Sequence, residues 1–244
     1  MIVMSIAGVD PSGGAGVFAD LKTFQAIGVY GTGIVTALTA QNPYKFFSTL
    51  PVDENYISEQ IDAVLDSYEV EFLKTGMLYS PEIIKLVSEK VKEYNLKAVV
   101  DPVMVATSGG DLTKEDIAKA MNKYLLPKSI LTTPNISEAE KLTGIEIKTK
   151  EDAIKASEKI ICNNLITGGH LDGINTISID GEITIKKQEL IKTDNLHGTG
   201  CNLSAAIVAY LAKNNDLHTS ILKALDYVYE GIKNGNYGTL IAKI

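Results

Sequence analysis

The densest chemistry in the chain lies between Asp194 and Ala206, in the stretch DNLHGTGCNLSAA. Two glycines flanking Thr199 let a backbone bend until several N–H groups point into one concavity. The apolar, alanine-rich run that follows is a helix pattern, and a helix start adds unpaired N–H groups and the positive end of its dipole. That combination suits an anion, above all a phosphate in transfer. Cys201 falls in the first turn, where a thiol is pushed down toward a thiolate able to act as base or nucleophile. A glycine-rich turn whose small cysteine caps a buried helix satisfies the same residues, so the rest of the chain has to discriminate.

The elements that would carry such a loop follow from the hydrophobic pattern. Ile2 to Val9 is a buried strand that leaves into the glycine loop Asp10–Gly16. Val17 to Ile27 repeats apolar residues at helical spacing and stops at Gly28. Residues 32–41 read as a second buried strand and Phe46 to Val52 as a third, more exposed one. Then strands at 70–77, 97–104, 129–133 and 164–167 alternate with helices at 55–68, 80–95, 137–142 and 150–162. Thr113 and Asp116 mark one further helix start. Residues 174–190 break the alternation as two strands joined at Asp180-Gly181, a hairpin signal. Helices at about 201–213 and 217–233 close the chain. Repeated strand–helix units predict a mainly parallel sheet with helices on both faces and a late antiparallel hairpin. No linker or repeat interrupts residues 1–244, which reads as a single domain.

Ligands gather at the carboxyl ends of the strands in such a sheet. Asp10, Asp20, Gln41, Met77, Asp101, Asn135, Glu138, Gly168 and Gly169 all fall at or near those ends. Each taken singly is also an ordinary turn former or cap; Asn135 with Glu138, for instance, makes a capping box. Composition narrows the chemistry. The 244 residues carry a formal charge of −7, which gives no electrostatic case for nucleic acid or an acidic membrane. All 23 basic residues are lysine, so a phosphate must be met by lysine, backbone N–H groups or a metal rather than a guanidinium fork. Cys162 and Cys201 form no disulfide framework, and with three dispersed histidines they make no zinc spacing. A reduced, cytoplasmic setting fits, with no leader and no span long enough for a bilayer. P-loop and nucleophile-elbow motifs are absent. A Cys201–His197 nucleophile pair is conceivable, although nearness in sequence does not bring two side chains together.

Phosphoryl transfer accounts for more of these residues. It needs an N–H cradle, a divalent metal beside the phosphates and a base on the attacking hydroxyl. Asp101 and Glu138 are the candidates for Mg²⁺, partly through water.

Seven motifs carry a resemblance: DPSGGAGVFAD at 10–20, ALTAQN at 37–42, GML at 76–78, DPVMVA at 101–106, TPNISEAE at 133–140, GGHL at 168–171 and HGTGCNLSAA at 197–206. In this order they resemble the hydroxymethylpyrimidine/phosphomethylpyrimidine kinases of the ribokinase-like superfamily. The resemblance implies a three-layer α/β/α sandwich and a homodimer. It also implies two ATP- and Mg²⁺-dependent phosphorylations, on 4-amino-5-hydroxymethyl-2-methylpyrimidine and then on its monophosphate. Position by position it makes Cys201 the general base and Gly198, Thr199 and Gly200 the anion hole. Asp20, Gln41, Met77, Gly8 and Val103 become pyrimidine-pocket residues, Asn135, Thr167 and Gly169 the nucleotide side, and Asp101 and Glu138 the metal side. A primary amide at Gln41 matches the donor–acceptor edge of an aminopyrimidine. The chain departs from the family at Thr167, where lysine is frequent, at Phe18, where a more polar residue is expected, and at Asn202, in place of a frequent threonine. Two other readings stand beside this one. One is a pyridoxine/pyridoxal kinase, and the other is a pyrimidine-binding module without turnover.

Overall fold

The computed structural model describes residues 1–104, 117–169 and 171–241. The helix start expected at Thr113 and Asp116, and Val105, Ala106 and His170 of the quoted motifs, lie outside the described residues. Nine strands form one sheet: β1 (Ile2–Val9), β2 (Tyr30–Asn42), β3 (Lys45–Pro51), β4 (Val70–Thr75), β5 (Lys97–Val100), β6 (Ser129–Thr132), β7 (Asn164–Ile166), β8 (Ile174–Ile179) and β9 (Glu182–Lys187). Their order is β3-β2-β1-β4-β5-β6-β7-β8-β9. The strands from β2 to β7 in that order run parallel, and the β8–β9 hairpin adds the expected antiparallel edge. At the opposite edge β3 also runs antiparallel, to β2. The chain leaves β1 toward β2 on one side and returns to β4 on the other, so the topological switch lies between β1 and β4.

Strand alternation sends neighbouring side chains to opposite faces. Val3 and Val99 pack with Phe24, Leu203, Ile207 and Ile221. These belong to α1 (Gly16–Ile27), α7 (Thr199–Ala212) and α8 (Leu217–Lys233). Met4, Ile6, Ala98 and Val100 pack instead with Ile57, Ile61, Ile84 and Val87. Those come from α2 (Glu54–Ser67) and α3 (Pro81–Glu93). The result is the three-layer α/β/α sandwich that the resemblance implied. Short helical turns at Ile117–Ala120 (α4), Met121–Leu125 and Leu126–Lys128 follow, with α5 (Ile136–Thr143) and α6 (Lys150–Lys159) beside β7.

Local signals set the boundaries. Gly28, at φ 87°, ends α1. Ser80 accepts a hydrogen bond from the Ile83 N–H and Pro81 opens α3. Two strands are shorter than their apolar patterns. β4 ends at Thr75, ahead of Gly76, and β5 ends at Val100, where Asp101-Pro102 leaves the ladder because proline has no N–H to give it. Helix α6 stops at Lys159 rather than Cys162, since Ile160 is already extended.

Candidate active site

The carboxyl ends of β1, β4, β5, β6 and β7 open into a cavity of about 620 Å³. At one end lie Gly8, Gln41, Met77 and Val103. Gln41 is aimed by a bulge, for the β2–β3 register slips between Ala40 and Gln41. Thr39 Oγ1 donates to Val9 O at 2.8 Å and locks that stretch to β1. Thr36 Oγ1 donates to Met77 O at 2.6 Å and fixes the methionine beneath it.

At the centre, Asp101 and Glu138 face Gly198, Gly200 and Cys201. Gly198 adopts φ 79°, and a Cβ there would overlap the Gly14 carbonyl oxygen, so only glycine fits. Asn202, the departure from the frequent threonine, clasps this turn. Its Nδ2 donates to Gly198 O at 2.8 Å while its Oδ1 accepts from Thr23 Oγ1 at 2.7 Å, tying α7 to α1. As α7 begins at Thr199, the N–H groups of Gly200 and Cys201 have no acceptor within the helix. Thr199 is different from the expectation. Its N–H and its Oγ1 both turn back to Leu196 O, at 3.2 and 2.6 Å, so its donors are spent locally.

Beneath this floor sits a cluster that the sequence did not disclose. Lys74, wholly buried on β4, places Nζ 3.0 Å from both Asp20 oxygens and 3.9 Å from Asp101 Oδ2. Ser5 Oγ completes the Asp20 shell at 2.5 Å. Asp20 is therefore corrected: it does not line the cavity, because its carboxylate is the counter-ion of a buried lysine. Burial alone would pull the Lys74 ammonium down, but Asp20, Cys201 and Asp101 around it reverse this and hold it above the usual lysine range. Burial acts on Asp20 in the opposite sense, pushing its carboxyl up, with Lys74 and Ser5 opposing.

The expected lowering of the Cys201 thiol is corrected too. Removal from water pushes its thiol up to about 12; Lys74 opposes the rise, while Asp101 and Asp20 add to it. The helix terminus does not overcome this burial, and in this state the group is a thiol. His197 is not its partner either, since the imidazole Nε2 lies 2.7 Å from Asp10 Oδ2. Burial pushes Asp10 up, but hydrogen bonds from His197 and Ser12 prevail and hold it below the usual carboxylate range.

Burial lifts Asp101 to about 6, against Lys74 and with the Asp20 charge. Burial and then the Asp101 charge lift Glu138 to about 8. Glu138 and Asn135 do form the capping box of α5, with reciprocal bonds of 2.9 and 3.0 Å. Among the described residues no three His, Cys, Asp or Glu side chains gather as a ready-made metal cluster. Two buried carboxylates with raised proton affinity, beside the orphaned Thr133 hydroxyl, nevertheless form an oxygen-only half-site. Mg²⁺ sites commonly have that composition, with water and phosphate completing the shell.

Asn135, Thr167 and Gly169 line the cavity further out, and Phe18 points to solvent instead. The far wall had no sequence signal beyond an amphipathic helix: Leu225, Val228, Tyr229 and Ile232 of α8, with Glu189 and Lys192 after β9. Lys192 is the one lysine among the described lining residues.

A model of the phosphomethylpyrimidine kinase family matches residues 10–241. A hydroxymethylpyrimidine/phosphomethylpyrimidine kinase of Bacillus subtilis is 37% identical over 95% of this chain and 89% of its own. A pyridoxine kinase of the same organism is also 37% identical, over 94% of this chain and 89% of its own. The crystal structure of an ADP complex of Bacillus subtilis pyridoxal kinase superposes with a TM-score of 0.91 at 35% identity, covering 99% of this chain and 96% of that one. With the glycine loops, the buried thiol and the sheet order in place, the chain belongs to the phosphomethylpyrimidine kinase family.

Proposed function

We propose that the protein transfers the γ-phosphoryl group of ATP to the hydroxymethyl group of 4-amino-5-hydroxymethyl-2-methylpyrimidine. It then phosphorylates the monophosphate to the diphosphate, a supply step for thiamine. The observation that carries the substrate assignment is Gln41. Its amide, set by the β2 bulge, makes no hydrogen bond among the described residues and shares one cavity with Cys201 and the Gly198–Cys201 turn. An amide offers donor and acceptor together, as the aminopyrimidine edge requires. Met77 and Val103 supply apolar contact to the ring, Gly8 leaves it room, and the N–H groups of Gly200 and Cys201 meet the transferring phosphate.

ATP takes the outer cavity, with adenine against the α8 wall and phosphates toward Asn135, Thr167, Gly169 and Lys192. Lys192 takes the place of the lysine that the family frequently has at Thr167. Asp101 and Glu138 would hold Mg²⁺, which supplies charge neutralisation on the phosphates. Cys201 first gives up its thiol proton to solvent as the site is loaded, and the thiolate Sγ then receives the hydroxyl proton.

The β3 edge suggests the assembly. Leu38 and Leu50 are cross-strand partners at the β3 edge and are 48% and 65% exposed, with Phe47 nearby, so a homodimer covering this edge is proposed. Its test is the mass of the native protein in solution. Among the described residues no helix is long and apolar enough to cross a membrane.

The experiment is mass-spectrometric product analysis with Mg-ATP and the hydroxymethylpyrimidine, and in parallel with pyridoxal. Monophosphate followed by diphosphate from the pyrimidine is expected. The equal identity to a pyridoxine kinase keeps a second reading in play. Phosphorylated pyridoxal alone would replace the first reading with that one. Binding of either compound without product would leave a binding module.

A further inference from the structure

The end of the chain folds back behind the anion loop. Asn195 Nδ2 donates to Gly235 O at 3.1 Å, and the Gly238 N–H donates to Asn195 Oδ1 at 2.8 Å. The His197 N–H donates to Gly238 O at 3.2 Å, and Thr239 Oγ1 donates to His197 O at 2.9 Å. These four bonds hold residues 195–197 against 235–239. From the other side, His197 reaches Asp10 at 2.7 Å. Asp10 is in turn the acceptor around which the first glycine loop is wound, taking the N–H groups of Ser12 and Ala15, each at 2.9 Å, and Ser12 Oγ at 2.8 Å. The three segments meet at Gly14 without room to spare: a Cβ there would stand 2.6 Å from His197 Cδ2 and 3.0 Å from Thr239 Oγ1. Gly198 rests directly on the Gly14 carbonyl, as described above.

Neither Asn195 nor Thr239 lines the cavity. They reach the chemistry through His197, whose buried imidazole and backbone link the C-terminal loop, the first glycine loop and the anion turn. We propose that the C-terminal loop Gly235–Thr239 is the element that sets the anion turn against the first glycine loop, with Asn195 and Thr239 as positioning residues acting through His197. This deepens the phosphoryl-transfer reading and rests on it. The N–H groups of Gly200 and Cys201 act on charge that develops during transfer, so their distance to the reacting oxygen matters more in the transition state than in the bound ground state. A misplacement of about 1 Å is enough to cost about a hundredfold in rate.

The test compares the full chain with Thr239→Val, Asn195→Ala and the double variant, and with Thr239→Ser, which keeps the hydroxyl. Two readouts are taken: kcat and KM for both substrates, and calorimetric affinity for Mg-ADP with and without fluoroaluminate, which mimics the transferring phosphoryl group. The double variant should lose about tenfold to a hundredfold in kcat with KM within about threefold. Its affinity for ADP alone should hold while the fluoroaluminate enhancement collapses, and Thr239→Ser should behave as the parent. A kcat within about twofold of the parent, or equal losses with and without fluoroaluminate, overturns the proposal. If the double variant does not fold, Thr239→Val alone decides: about threefold or more off kcat supports it, and parental kcat refutes it. A parent that phosphorylates no pyrimidine defeats the substrate reading instead, and the fluoroaluminate titration, which needs no acceptor, still decides the positioning role.

Discussion

Lys74→Met removes the cation from the buried cluster while keeping most of the apolar stem. In the parent, Nζ lies 3.0 Å from both oxygens of Asp20 and 3.9 Å from Asp101, with no solvent access to Lys74 or Asp20. Breaking a buried pair from one side strands the partner charge, at a cost of about 3–5 kcal/mol. For a chain of this size that lowers the melting temperature by about 6–20 °C, at about 2–4 °C per kcal/mol. The pH dependence is the sharper signature. The folded pKa of Lys74 lies above the ordinary lysine value of 10.5, so its stabilisation is fully present below that pH and constant from pH 5 to 8. In the variant, burial raises Asp20 without opposition from Lys74. A carboxyl whose folded pKa exceeds its unfolded value of 3.8 stabilises the fold at low pH and loses that as pH rises through the folded pKa. The gap between parent and variant, measured by urea unfolding, should therefore widen from pH 5 to 8. Asp20→Asn placed on top of Lys74→Met should recover a large part of it. A gap below about 1 kcal/mol that is the same at both pH values would refute the buried ion pair, since only exposed pairs are worth so little.

The other carboxylates follow the same sign. Glu138, raised to about 8, favours the ligand-free fold at low pH and penalises it as pH climbs through 8, so Glu138→Gln should gain stability over the parent at pH 9 and not at pH 5. A gain that does not change between those pH values would show that Glu138 is already hydrated. Gln41→Ala should weaken pyrimidine binding by about 1–3 kcal/mol in a calorimetric titration and leave Mg-ADP binding alone. An unchanged pyrimidine dissociation constant sinks that contact. Gly198→Ala forces a Cβ onto the Gly14 carbonyl at φ 79°, where the backbone conformation alone costs about 1–2 kcal/mol. It should lower both melting temperature and kcat, and a variant equal to the parent in both would mean that the turn has room to move.

What the sequence discloses and what it hides divide along a physical line. Strands, helix caps and glycine loops are local, and their signals were sufficient for the alternation, the Asp180-Gly181 hairpin and the cavity rim from Gly8 to Cys201. Lys74 was not visible because a lysine in the strand pattern VEFLKT reads as the solvent side of an amphipathic strand. Only the packing of α1 over β1 and β2, with α7 over β4, turns that position inward to meet Asp20. Asp20 itself sits on α1 and counts as a rim residue until its side chain is seen pointing down. The Asp10–His197 bond joins residues 187 apart, and the α8 wall of the cavity has the periodicity of any packed helix. For Cys201 the local rule and the environment conflict. A helix start lowers a thiol pKa, yet burial between Asp101 and Asp20 raises it further.

That conflict bears on how Cys201 can take a proton at all. A thiol already carrying its proton has none of the capacity a base needs, and near 12 the thiolate is scarce at neutral pH. Asp101 holds it there in two ways, by its charge and by accepting a hydrogen bond from the thiol. Any positive charge taken up by Asp101 cancels the first and competes with the second, so that Lys74, which favours the thiolate, weighs more heavily against Asp20. On the proposed mechanism, therefore, loading the site is what assembles the base. Asp101→Asn should mimic that loading without metal and speed iodoacetamide modification of Cys201 about tenfold for each unit by which the pKa falls. Cys162, also raised to about 12 but by burial alone, is the internal reference and should not respond. Lys74→Met should slow Cys201 modification. Cys201→Ala should still bind the pyrimidine while losing about 10²–10⁴ in kcat, the range for a general base. An unchanged alkylation rate in Asp101→Asn would break the coupling between the two groups, and near-normal turnover in Cys201→Ala would remove the thiol from the reaction.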